Sequence, residues 1–485
     1  MTQLPTDVAV VGTVSNYTPA QHADHHNEAH RLHDLLDAGY KEIRAENRGI
    51  TADNLVTDNR AAIAAAIAEV KAAGGGTLDF GPGVFGVSVA AHPADSSILT
   101  AIVAEPLVRL RGVPGRTVIK FRSSQPDGAR MLVNANPSGS VIDDGLVFEG
   151  ITFDGNANSQ GSALHTGPTL FRAKHCRFDR CDARDFRGTS GTPPNERFHF
   201  ELVGCADVVF DRCRVYGTAG SSATGFSADA STGIRYLGCT AHNMSVAHGF
   251  THNNCRHVTH VGCWSYLNAG IGFNSEVSDS VTYDGCLAGG RSSVSGIGNT
   301  PYADGASLGN GGHGYVINYT TNIAVNGCTG VSNGGDGLYA VGNTNGVIAG
   351  GEYAYNTGAS SVGISMAGVA NEFLTIDPLP AVVGNTSAYG YNLPVAGFVN
   401  LPGKLAPSQI PAVPASNAFV TNTYPTTVDV LIIGGTYSAV FLESGGTSVG
   451  TPTMVRLRPQ QQLAITYTVA PTWRWDVNAA GYPSS

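Results

Sequence analysis

The feature that most constrains this chain is a repeat in its middle third. Five cysteines lie in the similar frames FDRC, YLGC, HVGC, YDGC and VNGC, at Cys213, Cys239, Cys263, Cys286 and Cys328. An aromatic residue lies thirteen positions before each of them, namely Phe200, Phe226, Phe250, Phe273 and Tyr315. The runs between these marks are too short for helices, and most of the spacing, 23 to 26 residues, is typical of a solenoid. The sequence therefore predicts a parallel β-helix of about nine or ten coils.

Other residues extend the pattern and define the role of the cysteines. Leu338 and Ile364 continue the aromatic series, and Gly150 and Cys176 are expected to extend the cysteine frame backwards. Cys205 and Cys255 each lie eight residues before a framework cysteine and predict a second, partial column. One cysteine per coil lacks the paired spacing of a zinc site, whereas an inward thiol packs as a small apolar group. All nine cysteines are therefore predicted to be structural.

Composition narrows the classes of partner. Gly supplies 62 of the 485 residues and charged residues only 13%, so much of the surface is neutral and polar. The net charge of −9, without a basic run, argues against nucleic acid and against an anionic membrane surface. No apolar stretch approaches the ~20 residues of a membrane span. The N-terminus lacks the basic start and apolar core of a signal peptide. We expect neither nucleic-acid binding nor membrane insertion.

Both ends of the chain differ from the repeat. Residues 19–48 predict a helix with a narrow apolar stripe at Leu32, Leu36 and Ile43. Four histidines share one face of it (His22, His26, His30 and His33), and we interpret them as a polar face rather than a metal site. A second helix is predicted over 60–73 and ends at a GGG turn. Residues 391–416 are rich in proline and predict a linker, and 417–485 alternate like a small antiparallel β-sandwich.

The run DNRAAIAAAIAEVKAAGGGTLDFGPGVF resembles the opening of the pectate-lyase-like domain of bacteriophage tailspikes. There a capping helix leads through a Gly-rich turn into the first coil. The N-terminal PAQHADHHNEAHRLHDLL resembles the virion-proximal segment of phage tail fibre proteins, and the C-terminal APTWRW is similar to the ends of minor tail proteins. The resemblance implies an all-β, right-handed and trimeric β-helix. Its expected parts are a virion-proximal segment (1–49), the β-helix (50–390), the linker (391–416) and the C-terminal module (417–485).

The repeat predicts which side chains share the outer face of one sheet. With the repeated aromatics inward, the residues one and three positions later point outward. The first outward column is Glu201, Ser227, Thr251, Asn274, Val316 and Tyr339, and the second is Val203, Asp229, Asn253, Glu276, Asn318 and Val341. Two insertions, 188–197 and 291–312, are expected to wall both ends of this polar stripe. A polar floor between loops is suited to a glycan.

The carboxylates of the stripe are the candidate catalytic residues. Asp229 and Glu276 lie in one column two coils apart, about 9–10 Å between backbones, and Glu201 lies roughly 8 Å from Asp229. Both separations are near the ~6.5–9.5 Å of inverting glycosidases and too long for retaining ones. We predict Asp229 and Glu276 as the catalytic pair, with Glu201 in reserve; their acid and base roles stay open. The alternative is that these outward carboxylates only solvate the surface.

Further residues complete the predicted site. Asn253, Asn274 and Asn318 are predicted to bind substrate, and so are Trp264 and Tyr266, for which a trimer contact is the alternative. His252 is expected to be a hydrogen-bonded core residue. A rival acidic set is interleaved with arginines and indicates a surface charge network: Asp179, Asp182, Asp185 and Asp211.

Other chemistries receive little support from the sequence. No serine-nucleophile elbow and no phosphate-binding loop occurs. We predict no metal and no cofactor, although Asp229, Asn253 and Glu276 could hold a cation and keep a lyase mechanism open.

The resemblance places the chain in a virion. It implies a protein made in the host cytoplasm that attaches to the phage tail or baseplate through its N-terminus and acts at the host surface. The favoured function is a tailspike that binds and hydrolyses host surface polysaccharide. The alternatives are a polysaccharide lyase, a glycan-binding tail protein without turnover, and a purely structural tail component.

Overall fold

The structure is a computed structural model, and it describes most of the chain from residue 41 to residue 477. The described residues are 41–139, 141–188, 197–217, 223–289, 309–358, 361–366, 372–376, 385, 391–392, 399–400, 403–404, 411–422, 428–442, 448–458 and 461–477. The predicted N-terminal helix therefore lies outside the described residues except for its last positions. Within them, no helix is long and apolar enough to cross a membrane.

Three long sheets run along the molecule, and the chain visits them in turn. The first has 13 strands: Lys41–Arg44, Gly76–Asp79, Val108–Arg111, Val147–Glu149, Arg177–Asp179, Val209–Asp211, Thr232–Leu237, Arg256–Val261, Asp279–Asp284, Thr321–Asn326, Thr344–Ala349, Glu372–Ile376 and Val399–Asn400. The second has ten: Gly83–Val87, Thr117–Phe121, Ile151–Asp154, Asp182–Arg184, Arg214–Tyr216, Thr240–His242, Trp264–Tyr266, Leu287–Gly289, Thr329–Val331 and Glu352–Ala354.

The third sheet completes each coil. Its 12 strands are Ala90–His92, Asp95–Ala104, Ala129–Asn134, His165–Phe171, Phe198–Val203, Thr224–Asp229, Phe250–Asn253, Phe273–Glu276, Tyr315–Asn318, Leu338–Val341, Ile364–Met366 and Tyr391–Asn392. Ala90–His92 pairs antiparallel with its neighbour, and the successive strands from Asp95 onward pair parallel. The predicted parallel β-helix is confirmed.

The repeated aromatics form the core. Phe200, Phe226, Phe250, Phe273 and Tyr315 are buried and stack face to face on neighbouring coils, with ring centroids 4.8 to 5.4 Å apart. A second inward stack meets them edge-on and includes Tyr236, His260 and Tyr283. Burying rings in stacked columns removes apolar surface from water on every coil and also favours one register. The spacing of the aromatic residues in the sequence is therefore the spacing of the coils.

All nine cysteines are free and buried, as predicted. The framework column, which contains the five repeated cysteines from Cys213 to Cys328, differs from the prediction at its start. Because Asp182 pairs with Arg214, the preceding residues Cys181 and Cys213 lie in one column. Cys176 precedes Arg177, which pairs with Val209, so Cys176 lies beside Val208 instead. Thr152 pairs with Asp182, so Ile151 and not Gly150 lies beside Cys181. The assignment of Cys176 and Gly150 to the framework column was therefore wrong.

The first coil begins earlier than predicted. Lys41–Arg44 is a strand that pairs parallel with Gly76–Asp79, so the predicted helix over 19–48 does not reach its expected end. Ile43 is buried while both its neighbours are exposed, which suits a strand at the end of a sheet as well as a helix. The short 3₁₀ helix Ala45–Arg48 follows.

The helix predicted over 60–73 is observed as Arg60–Ala72. It buries Ile63, Ile67 and Val70 against the first coils, as the spacing of these residues indicates. A second 3₁₀ turn is found at Ala157–Ser159.

An asparagine ladder closes the turns between the second and third sheets. Asn268, Asn310, Asn333, Asn356 and Asn385 occupy successive coils, and each side-chain amide donates to the next side-chain oxygen at 2.8 to 3.2 Å. The backbone N–H of each of the first four donates to the same oxygen at 3.0 to 3.4 Å. The ladder therefore satisfies backbone groups that the bend takes out of the sheets.

The C-terminal part forms two antiparallel sheets. One contains Gly403–Lys404, Thr472–Val477, Val428–Ile433 and Met454–Leu457, and the other Phe419–Thr421, Gln462–Val469 and Thr436–Leu442. Both sheets contribute to one apolar core around the fully buried Trp475. The predicted antiparallel sandwich is observed here, with its first strand at Gly403, inside the segment expected to be a linker.

Candidate functional site

The polar face is the outer surface of the third sheet between the strands Phe198–Val203 and Tyr315–Asn318. Its register places Glu201 beside Ser227, Ser227 beside Thr251, and Thr251 beside Asn274. In the next column Asp229 pairs with Asn253, Asn253 with Glu276, and Glu276 with Asn318. Both columns have the composition expected from the repeat. The sequence therefore located this face correctly, while the roles of its residues stay predictions.

Asp229 and Glu276 are both half-buried and both accept an amide hydrogen bond. The Asn253 amide donates to Asp229 Oδ1 at 3.2 Å, and the Asn274 amide donates to Glu276 Oε1 at 3.1 Å. Two strand spacings of about 4.8 Å separate the two backbones. Asn253 lies between the two carboxylates, so the structure brings together four of the predicted residues.

Glu201 lies at the other end of the polar face. Its Oε2 accepts a hydrogen bond from Thr169 Oγ1 at 3.0 Å and lies 3.5 Å from an Arg130 guanidinium nitrogen. Arg130 also lies over the Phe171 ring, 5.2 Å from its centroid. Glu201 is thus held by a cation and a hydroxyl, and is more constrained than the other two carboxylates.

A third column at the edge of the polar face was missed by the alternation rule. His248 lies two residues before the inward Phe250, and its Nδ1 accepts a hydrogen bond from the Ile271 N–H at 2.8 Å. The neutral ring therefore carries its proton on Nε2. Burial lowers the pKa of His248, and the charge of Glu276 acts in the opposite direction. His248 thus belongs to the electrostatic surroundings of Glu276.

His313 repeats this arrangement further along the edge. Its Nδ1 accepts from the Asp336 N–H at 2.8 Å, and its ring stacks on Tyr339, with centroids 4.8 Å apart. Burial raises the pKa of the Asp336 carboxyl and lowers the pKa of the His313 ring. The sequence signal for both histidines is the dipeptide His-Gly directly before one of the repeated aromatic residues, in AHGF and GHGY.

Glycine at the bend explains why this column was missed. A Cβ at Gly249 would lie 2.1 Å from the buried Ser265 Oγ, so this position faces inward although it directly precedes the inward Phe250. Two successive inward positions reverse the alternation, and His248 then points outward.

Three side-chain oxygen atoms of the polar face, two amide oxygens and one hydroxyl, are buried without a partner among the described residues. They are Asn274 Oδ1, Asn318 Oδ1 and Thr251 Oγ1. Asn274 is only 4% exposed. A buried polar atom without a partner is costly, so such atoms point to sites where a ligand supplies the missing partner.

The predicted aromatic residues lie on a different face. Trp264 and Tyr266 project from the second sheet, where Tyr216, His242 and Tyr266 stack on consecutive coils with centroids 5.5 and 4.8 Å apart. The Trp264 indole N–H donates to the Gly289 carbonyl at 2.8 Å. The structure therefore does not bring Trp264 and Tyr266 together with the carboxylates of the polar face.

The rival acidic set is a charge network, as predicted. On the first sheet Glu149, Asp179 and Asp211 occupy one column, and Arg177 and Arg180 pair with them at 2.7 to 2.9 Å. On the second sheet Arg214 binds Asp182 through two nitrogens, at 2.9 and 2.5 Å. These carboxylates are already neutralised by guanidinium groups.

His252 is a core residue, as predicted. It is fully buried, and its Nε2 lies 3.2 Å from His260 Nε2.

The two insertions lie mostly outside the described residues. Their described flanks, Gly188 and Arg197 for one and Gly289 and Gly309 for the other, join the second sheet to the third. These flanks directly precede the strands Phe198–Val203 and Tyr315–Asn318, at the two ends of the polar face, and the expectation that the insertions wall these ends stays a prediction. Within the described ranges, no group of three or more His, Cys, Asp or Glu is placed to hold a metal ion.

Comparison with solved structures shows the architecture. The A-module of mannuronan C-5 epimerase AlgE4 from Azotobacter vinelandii has a TM-score of 0.57 at 18% identity, over 74% of this chain and 95% of that one. The AlgE6 A-module from the same organism has a TM-score of 0.56 at 19% identity, over 74% and 93%. The chain folds as a right-handed parallel β-helix. At these identities the likeness shows the fold alone.

Tailspike protein 3 of bacteriophage CBA120 also matches, with a TM-score of 0.43 at 13% identity, over 80% of this chain and 66% of that one. This score is too low to support an argument about function. No protein-family model matches the chain, and neither does any curated protein. The right-handed parallel β-helix that the resemblance to tailspikes implied is thus confirmed by the sheets of this chain and by the likeness to the epimerase modules.

Proposed function

We propose that this protein is a homotrimeric tail component of a phage virion that binds a polysaccharide of the host surface along its polar face and hydrolyses it. The observation that carries the proposal is the uninterrupted polar register from Glu201 to Asn318. Carboxylate, amide and hydroxyl groups recur there on consecutive coils. An extended glycan presents hydroxyl groups at regular intervals, and a regular ladder of acceptors is complementary to it. Attachment to the tail is assigned to the N-terminal segment, as the sequence resemblance implies.

The reaction favoured by the geometry is hydrolysis with inversion. Asp229 and Glu276 are about 9–10 Å apart at the backbone, which leaves room for a water molecule between a general acid and a general base. One carboxyl group protonates the departing glycosidic oxygen, and the other takes a proton from the attacking water. Asn253 and Asn274 hold the two carboxyl groups in place through the amide bonds described above, and Glu201 is the reserve candidate.

A second candidate is a glycan-binding protein of the same shape without turnover. One observation favours it: Asp229 and Glu276 each accept an amide N–H, so carboxylates and amides form one hydrogen-bonded array that can bind hydroxyl groups without any reaction. Under this alternative the amides and carboxylates only bind sugar hydroxyl groups. Trp264 and Tyr266 then serve as a separate sugar-stacking or subunit contact on the second sheet.

The decisive experiment measures turnover and binding together. Full-length protein is incubated with capsule and cell-wall polysaccharides, and both reducing ends and the ultraviolet absorbance of unsaturated sugars are followed. Asp229→Asn and Glu276→Gln are compared with Asp284→Asn, which removes an exposed carboxylate from the first sheet. We expect new reducing ends without absorbance, a loss of at least 100-fold in both test variants, and no change in the control.

Three other results would count against this proposal. Gain of absorbance would indicate a lyase. Binding without any release of reducing ends would leave the glycan-binding alternative. Turnover that survives both substitutions would remove these residues from the chemistry.

A further inference from the structure

The charge balance of the polar face limits the class of ligand that it can bind. The strands of the third sheet contain one Lys or Arg, Arg130, against four acidic residues: Asp95, Glu201, Asp229 and Glu276. The first sheet, by contrast, intersperses its carboxylates with arginines that neutralise them. The imbalance is therefore specific to the face that carries the candidate site.

The single arginine of this sheet is already engaged. Arg130 lies 3.5 Å from Glu201 Oε2 and over the Phe171 ring. An acidic group on a ligand would have to compete with Glu201 for it. In the part of the chain that the structure describes, the side-chain hydrogen-bond donors to Asp229 and Glu276 are neutral amides. A ligand carboxylate, sulfate or phosphate nearby would therefore meet negative charge that these donors do not compensate.

The unpaired polar atoms make the same point independently. Asn274 Oδ1, Asn318 Oδ1 and Thr251 Oγ1 are buried without partners among the described residues. Asn274 and Asn318 present carbonyl oxygens, which only accept, and the two carboxylates of the column also only accept. The face therefore needs a ligand rich in donors. Hydroxyl, acetamido and ammonium groups are donors, whereas carboxylate and sulfate groups bring further acceptors.

Resting on the proposed function, we propose that the polar face takes a polysaccharide of neutral or amino sugars and excludes polymers that carry an acidic group on every sugar. This class also selects between the reactions that the sequence left open. Elimination by a lyase requires a uronate, and a polymer of neutral or amino sugars contains none. Hydrolysis adds water across the anomeric C–O bond, with one proton delivered to the leaving oxygen and one taken from water, and needs no further reactant.

The test compares polymers of neutral or amino sugars with acidic polymers, and the carboxyl-reduced pair keeps the same backbone and linkages. Binding of the full chain to mannan is compared with binding to mannuronan, chitosan oligosaccharides with dextran sulfate, and one acidic bacterial polysaccharide with its carboxyl-reduced form. We expect at least tenfold tighter binding to the neutral or amino member of each comparison at 0.1 M salt. Raising the salt to 1 M should narrow the difference, because the screening length falls from about 10 Å to about 3 Å.

Variants connect the selectivity to the polar face. Asp229→Asn/Glu276→Gln should lower the discrimination against the acidic polymers at least threefold, whereas Asp284→Asn on the first sheet should leave it unchanged. Tight, salt-sensitive binding of mannuronan or dextran sulfate by the wild type would overturn the inference while keeping a glycan-binding protein. Failure to bind any member of the panel, with the fold intact by circular dichroism, would instead overturn the proposed function and this inference with it.

Discussion

Replacing one asparagine of the buried ladder provides a stringent test of how the β-helix is held together. Asn333 is fully buried, and its Oδ1 accepts from the Asn310 backbone N–H at 3.1 Å and from the Asn310 amide at 3.0 Å. Its own amide donates to Asn356 Oδ1 at 3.2 Å and to the Ala288 carbonyl at 3.3 Å. Asn333→Ala removes the acceptor of the Asn310 N–H and also removes the three other hydrogen bonds of the Asn333 side chain. At about 1–3 kcal/mol for each buried unsatisfied group, we expect a loss of about 3–4 kcal/mol.

The measurement is equilibrium unfolding in guanidinium chloride, followed by hydrogen exchange in the native state. Asn345→Ala is the matched control, because Asn345 is exposed and donates one surface hydrogen bond, to Asn322 Oδ1 at 2.6 Å. It should cost only about 1 kcal/mol, because Asn345 has a φ of 59°, where alanine is less favourable than asparagine. Since coils contact only their neighbours, faster exchange should be confined to the coils around Asn333. Equal losses in the two variants, or exchange that rises uniformly, would refute a stabilising role for the ladder.

Three further outcomes follow from the packing and are stated together. Gly262→Ala should lower the free energy of unfolding by about 1 kcal/mol, because Gly262 has a φ of 58° and open space around it. Gly249→Ala should lower it by about 3 kcal/mol, because the added Cβ would collide with Ser265 Oγ. Equal losses of the two variants in chemical unfolding would contradict this. Burial lowers the pKa of His260 to about 3, so the stability present above pH 6.5 falls as the pH drops towards that value. About 3 kcal/mol should be lost between pH 7 and pH 4, and His260→Phe should flatten this limb of the unfolding curve. Burial raises the pKa of the Cys205 thiol to about 11, so a thiol reagent should label it only on unfolding, and labelling in the native state would refute its burial.

The part of the site that follows one repeated register could be predicted from the sequence. Counting from the repeated aromatic residues placed Asp229, Asn253 and Glu276 in one column, because a parallel β-helix keeps the same pairing from coil to coil. The count failed where the turn between two strands of a coil changes length. Cys176 and Cys181 are five residues apart in two similar settings, and only the pairing of Asp182 with Arg214 decides which of them joins the framework.

The edge column needed information that alternation does not contain. The rule assumes that successive residues face opposite sides of a sheet, and the inward bend at Gly249 breaks it immediately before the strand. His248 was therefore left out of the predicted site. The start of the fold was missed for a different reason: a segment such as KEIR has one apolar residue, and the alternation around Ile43 fits a strand and a helix equally.

The column of cysteines has a consequence for how the chain must mature. Neighbouring strands are about 4.8 Å apart, which lies within the Cα separation that a disulfide can bridge. Each thiol of the framework column, from Cys181 to Cys328, thus has a neighbouring thiol within bonding range during assembly. A premature cross-link would fix two coils before their aromatic residues have selected the register. The same thiols are sealed from solvent once the coils close. Oxidation therefore threatens the nascent chain and not the folded protein, and the yield of folded protein should depend on reductant during synthesis but not during storage.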